Sequence, residues 1–255
     1  MSPFVLSLPA RECKPRETGL THVLDKGLTA DALAALLDAV GPEIDVWKFG
    51  WGTAYLERRL DRKLACLREH GVTPCLGGTL LEIAWSQGRG EECLSWAADV
   101  GFEAVEVSRG VAEMPLDAKR ELVKRAAESF VVFAETGIKD PRVLLPAQHW
   151  RDEMADDLAA GATWVVAEGR ESGTVGVYDG SGSPRPDIVA AAVEAAGVEW
   201  VLFEAPRKDQ QTWFIGQFGS GVNLANIAPD DVLALTTLRL GLRADTAHLT
   251  LGRPC

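Results

Sequence analysis

Apolar residues in this chain fall into short unbroken runs, each followed by a longer stretch in which they recur every three or four positions. The runs are Thr21–Asp25, Asp45–Phe49, Thr73–Leu76, Ala104–Val107, Val131–Glu135, Trp164–Glu168, Trp200–Glu204 and Gly221–Leu224. Unbroken rather than alternating apolar character fits parallel strands covered on both faces. The helix-period stretches are Thr29–Val40, Ala54–His70, Glu91–Val100, Leu116–Ser129, His149–Ala160, Asp187–Ala196, Gln210–Phe218 and Asp230–Leu242. Five of them stop at a glycine (Gly71, Gly101, Gly161, Gly197, Gly219), and two start behind a proline (Pro115, Pro229), as helix ends and first turns favour. Eight strand–helix pairs at roughly 30 residues each predict an α/β fold of the single-domain (β/α)8 TIM-barrel type. An open doubly wound sheet is the alternative, but no GxGxxG follows the first strand. Residues 1–18 read as an N-terminal extension and 19–255 as the barrel; the run DGSGSPRP at 179–186 reads as a long loop after strand 6.

On that frame, charge collects at one end of the strands. Basic residues stand at or just past the ends of six of them: Lys26, Lys48, Arg109, Lys139, Arg170 and Lys208. Carboxylates stand at five of the same ends: Asp25, Glu106, Glu135, Glu168 and Glu204. Barrel chemistry sits at the carboxyl ends of strands, so the pattern points to a site for a multiply anionic small molecule, with carboxylates for a divalent metal. Strand period limits which charges share it. Asp25 and Lys26 are neighbours, so only one points inward, whereas Glu168 and Arg170 have the same parity.

Composition narrows the classes. The net charge of −11 over 255 residues argues against a nucleic-acid partner. No apolar run approaches the ~18 residues of a membrane span. The five cysteines are scattered without a CxxC pair, which fits reduced thiols and a cytoplasmic location. His22, His70, His149 and His248 show no metal-ligand spacing, and Ser108 and Ser172 have no evident His–Asp partners for a hydrolase triad. Gly77-Gly78-Thr79 follows strand 3 on the active face, as an anion cradle or a tight turn, while Gly219-Ser220-Gly221 belongs to the opposite face. The eight tryptophans are expected mostly in the core.

At the strand ends the sequence resembles the phosphosulfolactate synthase (ComA-like) family. The carrying stretches are GLTHVLDKGL, IDVWKFGWGT, GGTLLEIA, GFEAVEVSRG, ETGIKD, EGRESG, LFEAPRKDQQ, VNLANI and LRLGLRADT, nine ordered motifs from Gly19 to Thr246. The resemblance implies a TIM barrel that adds sulfite to phosphoenolpyruvate with Mg2+ to give (R)-phosphosulfolactate. It implies Lys139 and Arg170 as catalytic residues, Lys139 being general acid or enolate stabiliser. Glu135, Glu168 and Glu204, with Asp25 and Glu106 behind them, are the candidate metal ligands. Lys26, Lys48, Arg109, Ser172, Lys208, Asn223 and Asn226 are the candidate substrate-binding residues, the two asparagines because they end or follow strand 8. The expected partners are small anions, with assembly as a homo-oligomer.

Three positions depart from the family pattern. Arg109 replaces the acid of E-x-S-D-G, Thr136 stands in the E-V-G stretch, and Thr236 replaces an acid before the L-R pair. Arg109 places a cation where an acid is expected, which opens a different nucleophile, a thiol or another small anion, as an alternative. The family also resembles a plant heat-stress-associated protein, so a non-catalytic role is a second alternative, against which the retained Lys139, Glu135, Glu168 and Arg170 speak.

Overall fold

In the computed structural model, which describes residues 6–138, 140 and 142–251, the eight apolar runs form one closed parallel barrel in sequence order. The strands are β1 Thr21–Asp25, β2 Val46–Phe49, β3 Thr73–Leu76, β4 Ala104–Val107, β5 Val131–Thr136, β6 Trp164–Ala167, β7 Val201–Glu204 and β8 Asn223–Ile227. The helices around them are α1 Ala30–Val40, α2 Thr53–Leu56, α3 Leu60–Glu69, α4 Gly78–Ser86, α5 Gly90–Val100, α6 Leu116–Ala127, α7 Ala147–Ala160, α8 Pro186–Ala196, α9 Lys208–Phe218 and α10 Val232–Arg239. The barrel therefore matches the architecture that the periodicity predicts.

Two cores follow from the strand period. Val46, Cys75, Ala104, Phe133, Val166, Leu202 and Ala225, one per strand, cluster with Leu20 inside the barrel. Their alternates Val23, Trp47, Leu76, Val105, Val132, Val165, Phe203 and Leu224 join the larger core beneath the helices. Strands β2 to β8 thus contribute to both, with Leu20 just before β1 completing the inner set, which is why their runs are apolar without alternation.

The elements depart from the expected bounds in three places. The stretch Ala54–His70 is two helices, because Glu57 is extended (φ −72°, ψ 113°) and its carboxylate accepts from Arg59 N–H at 2.9 Å. The Gly77-Gly78 pair opens α4, a helix the sequence reading did not place. Strand β8 starts at Asn223 and runs to Ile227. Its pairing with β1 slips, with Thr21 opposite Leu224 but Val23 opposite Ile227, and Asn226 takes φ +55°. An inserted residue of this kind bends the strand and re-aims a side chain.

Residues before β1 cross the amino-terminal end of the barrel. Arg11 pairs with Glu43 at 2.9 Å, Arg16 with Asp45 at 2.8 Å, and Lys14 donates to the Gly71 carbonyl at 3.0 Å. No helix among the described residues is long and apolar enough to cross a membrane.

Candidate active site

The site follows from the inner core by counting two residues. Two positions beyond Val46, Ala104, Phe133, Val166 and Leu202 stand Lys48, Glu106, Glu135, Glu168 and Glu204. Period-2 geometry aims all five along the barrel axis, toward the carboxyl ends of their strands. They line a cavity of about 230 Å3 together with Leu24, Trp51, the start of α4 (Gly77, Gly78, Thr79), Arg170 and Asn226. On β3 the equivalent position is Gly77, and it leaves room: a Cβ there would stand 2.6 Å from the Phe49 carbonyl oxygen. A Cβ on Gly78 would stand 2.3 Å from Ser108 Oγ. The glycine pair lets the first turn of α4 press against the barrel mouth, where its amides favour negative charge.

Charge inside the mouth is tightly held. Lys48 Nζ donates to Glu106 Oε2 at 2.8 Å and Glu204 Oε1 at 3.1 Å. Glu106 Oε1 accepts from Gly78 N–H at 3.1 Å, and Glu204 Oε2 from the N–H groups of Gly169 and Arg170, both at 2.9 Å. Glu168 Oε1 accepts from Arg170 N–H at 2.7 Å. Burial, partly offset by Lys48 and reinforced by Glu135 and Glu204, pushes the Glu106 carboxyl up to about 7. Burial works against the Lys48 charge, but Glu106, Glu204 and Glu135 outweigh it and raise its affinity for the proton well above the ordinary lysine value. One oxygen from each of Glu106, Glu135 and Glu204 lies within 4.8 Å of the others, all three residues being buried. Hard carboxylate oxygens converging in this way suit Mg2+, so the donor set fits the metal that the resemblance implies.

The other sequence candidates fall elsewhere. Asp25 has the outward parity on β1. Its Oδ2 accepts from Lys63 Nζ at 2.5 Å and Trp47 Nε1 at 3.0 Å, and its Oδ1 from the N–H groups of Gly27 and Leu28. That carboxylate closes the loop onto α3 rather than facing the cavity. Lys26 is exposed at the rim, its ammonium 5.6 Å from the centroid of the Trp51 ring. Arg109 turns toward α7, where it binds Glu153 through Nε at 3.0 Å and a terminal nitrogen at 2.8 Å and meets His149 at 2.9 Å. Ser172 is exposed with its hydroxyl on Thr174, and Lys208 opens α9 paired with Asp245 at 2.8 Å. Asn223 begins β8, so it lies at the amino-terminal end, bonded to Leu20 N–H and the Glu199 carbonyl. The bulge instead brings Asn226 into the lining. Lys139 lies outside the described residues.

Several site residues escaped the sequence reading. Trp51, expected in the core, is about half exposed at the mouth with φ +53°; the flanking glycines of Gly50-Trp51-Gly52 are the signal that marks it. The partners that hold the strand ends come from helices. Lys63 on α3 holds Asp25, and Glu82 on α4 accepts from Ser108 Oγ and the N–H groups of Val111 and Ala112. Lys119 on α6 reaches Glu153 at 2.7 Å, Asp157 at 2.6 Å and the Glu135 carbonyl at 2.8 Å. Tyr178 donates to the Glu204 carbonyl at 2.5 Å. Such pairings join residues far apart in sequence and carry no local signal.

A family profile described as (2R)-phospho-3-sulfolactate synthase matches residues 9–245. The chain is 41% identical over 253 residues to the phosphosulfolactate synthase of Methanothermobacter thermautotrophicus, covering 96% of this chain and 98% of that one. It is 38% identical to the Bacillus subtilis phosphosulfolactate synthase, covering 98% and 100%. Similarity extends at 23% identity to the protein HEAT-STRESS-ASSOCIATED 32 of Arabidopsis thaliana, over 83% of this chain and 82% of that one. Among solved structures, a 3-hexulose-6-phosphate synthase superposes with a TM-score of 0.54 at 16% identity, covering 86% of this chain and 95% of that one. The thiamine phosphate pyrophosphorylase of Pyrococcus furiosus gives 0.52 at 13% identity, covering 92% and 99%. These two likenesses speak to the barrel alone.

Proposed function

The chain belongs to the (2R)-phospho-3-sulfolactate synthase family, an enzyme family of carbon–sulfur lyase type, and from that premise we propose that it adds sulfite to C3 of phosphoenolpyruvate with Mg2+. The observation that carries the reading is the convergence of Lys48, Glu106, Glu135, Glu168, Glu204 and Arg170 on one cavity at the carboxyl ends of the strands. In the proposed reaction the sulfur lone pair of sulfite forms the C3–S bond. The C2=C3 π pair moves toward the carboxylate, giving an enediolate-like dianion, and a proton then adds to C2. The charge that develops on the substrate carboxylate needs preorganised positive groups in a site shielded from water.

Glu106, Glu135 and Glu204 would hold the metal, with Glu168 beside them in the lining. A bound Mg2+ supplies Lewis-acid stabilisation of the developing carboxylate charge. The ammonium of Lys48, Arg170, the Asn226 amide and the α4 amides that follow Gly78 would then bind phosphate, carboxylate and sulfite, since Lys48, Thr79, Arg170 and Asn226 share the cavity lining. Lys139, by its match to the family motif, is the proton donor to C2. Arg109 gives little support to a changed nucleophile, since its guanidinium is spent on Glu153 outside the cavity lining. The proposed setting is the cytoplasm.

Phosphorus NMR of the purified protein with phosphoenolpyruvate, sulfite and Mg2+ tests the proposal. A new phosphate-ester resonance that requires both sulfite and metal is expected and is abolished by chelator. Consumption of phosphoenolpyruvate with a thiol but not with sulfite would contradict it.

A further inference from the structure

The Lys48 ammonium stands where three acids converge. It lies 2.8 Å from Glu106 Oε2 and 3.1 Å from Glu204 Oε1, and Glu135 completes the group. Ligand oxygens on an octahedral Mg2+ with bonds of about 2.0–2.1 Å stand roughly 2.9 Å apart when adjacent and about 4.2 Å when opposite. At most one pair among three ligands can be opposite, so oxygens lying within 4.8 Å of one another would draw in for one octahedral ion to hold all three. The remaining oxygens of two of the acids are committed elsewhere: Glu106 Oε1 to Gly78 N–H, and Glu204 Oε2 to Gly169 and Arg170 N–H. Those bonds fix both carboxylates and occupy one oxygen of each, so an incoming ion would compete with Lys48 for Glu106 Oε2 and Glu204 Oε1. An ammonium and a divalent cation cannot occupy the same lone pairs. Lys48 also lines the cavity, on a flexible stem that can move its charge without moving β2.

We propose that Lys48 is a placeholder cation: it neutralises Glu106 and Glu204 in the metal-free protein, leaves them when a divalent ion enters, and presents its ammonium to the anionic substrate. The inference rests on the metal reading given above. It orders binding, metal before phosphoenolpyruvate. While Lys48 is held by two glutamates, an anion entering the cavity meets the field of the acid cluster. Once the metal takes those oxygens, the same side chain becomes a free cation in the lining.

Two readouts other than turnover test this. In an electron-spin-resonance titration, Lys48→Met is expected to bind Mn2+ at least tenfold more tightly than the wild type, because the competing ammonium is gone. At saturating Mn2+ it is expected to bind phosphoenolpyruvate at least tenfold more weakly. The second readout does not depend on how the variant folds: a crystal structure of the Mn2+-loaded wild type should show Lys48 Nζ beyond hydrogen-bond distance of Glu106 and Glu204. Equal or weaker Mn2+ affinity in a folded Lys48→Met, or Nζ still bonded to both acids beside the bound ion, would overturn the placeholder and leave the metal site standing. Absence of Mn2+ binding in both proteins would overturn the two together.

Discussion

Two groups of largely buried charge lie near the same end of this barrel, one inside it and one between its strands and the surrounding helices. Inside, Lys48 bridges Glu106 and Glu204 with Glu135 nearby, and the group faces a cavity. Outside, in the layer between strands and helices, Asp25 is paired with Lys63, and Arg109 and Lys119 with Glu153 and Asp157. Residue types and burial are alike; direction is not. Inner charges are aimed where a substrate can reach them, and three carboxylates crowd one ammonium. Outer charges are each met by a helix-borne partner and hold loops to helices. A strand-end charge therefore reads as chemistry or as fastening according to its parity.

If that division is right, substitutions on the two sides should fail in different ways. The largest effect is expected at Glu204→Gln. It should lower kcat by about 10^2–10^3, as loss of a preorganised electrostatic group does, while the melting temperature holds or rises because one member of a like-charged cluster is neutralised. Steady-state rates beside thermal melts check this. The outer counterpart is Asp25→Ala, which leaves Lys63 buried without its carboxylate. Breaking a buried pair in this way costs about 3–5 kcal/mol, so urea unfolding should show the loss while the folded fraction keeps its KM.

The outer network also sets a pH dependence. Burial, partly offset by Lys119, pushes the Asp157 carboxyl up to about 6. The folded state then binds a proton that the unfolded chain has released, so this stability is full below the ordinary aspartate value and is lost as pH rises through about 6. Over that span it amounts to about 3 kcal/mol. Glu153 runs the other way. Burial opposes its charge, but Lys119 and Arg109 outweigh burial and hold it at about 2, so its contribution is present above the ordinary glutamate value and lost as pH falls toward 2. Asp157→Asn should remove the decline between about pH 4 and 6 in chemical unfolding measured across pH, and leave the acid limb in place.

The smallest effect is expected at Arg109→Ala. Lys119 still pairs with Glu153, so the loss is about 1–3 kcal/mol for one buried charged partner. Turnover and the preference for sulfite should stay within about twofold. A changed nucleophile preference in that variant would bring Arg109 back to the chemistry and blur the division.

The same division explains what was legible in the sequence. Unbroken apolar runs located seven strands within a residue or so, because a strand buried on both faces has no other pattern available to it. The eighth began two residues late, since the bulge at Asn226 leaves no mark on hydropathy; Asn223 was therefore expected at the wrong end. Strand-end carboxylates were visible as residues, and Glu168 and Arg170 both lie in the lining as expected, although β6 ends at Ala167 and Arg170 arrives there through a turn at φ +57° rather than by strand parity. Asp25 and Lys26 were left unsorted between the two faces; Asp25 turns outward to Lys63, a helix residue 38 positions away, and Lys26 lies exposed at the rim, so neither enters the lining. Arg109 was similarly opaque until Glu153 and His149 on α7 came beside it. Parity can be counted along one chain, whereas the partner that satisfies a charge is chosen in three dimensions.

The most direct test of the central claim sets one inner and one outer acid side by side. Initial rates of phosphate-ester formation from phosphoenolpyruvate and sulfite would be followed by phosphorus NMR for Glu106→Gln and Glu153→Gln, with thermal melts on the same samples. The account predicts that Glu106→Gln keeps its melt and loses at least about a hundredfold in rate, while Glu153→Gln melts lower and turns over normally below its transition. Equal rate losses in the two variants, or normal turnover in Glu106→Gln, would contradict it.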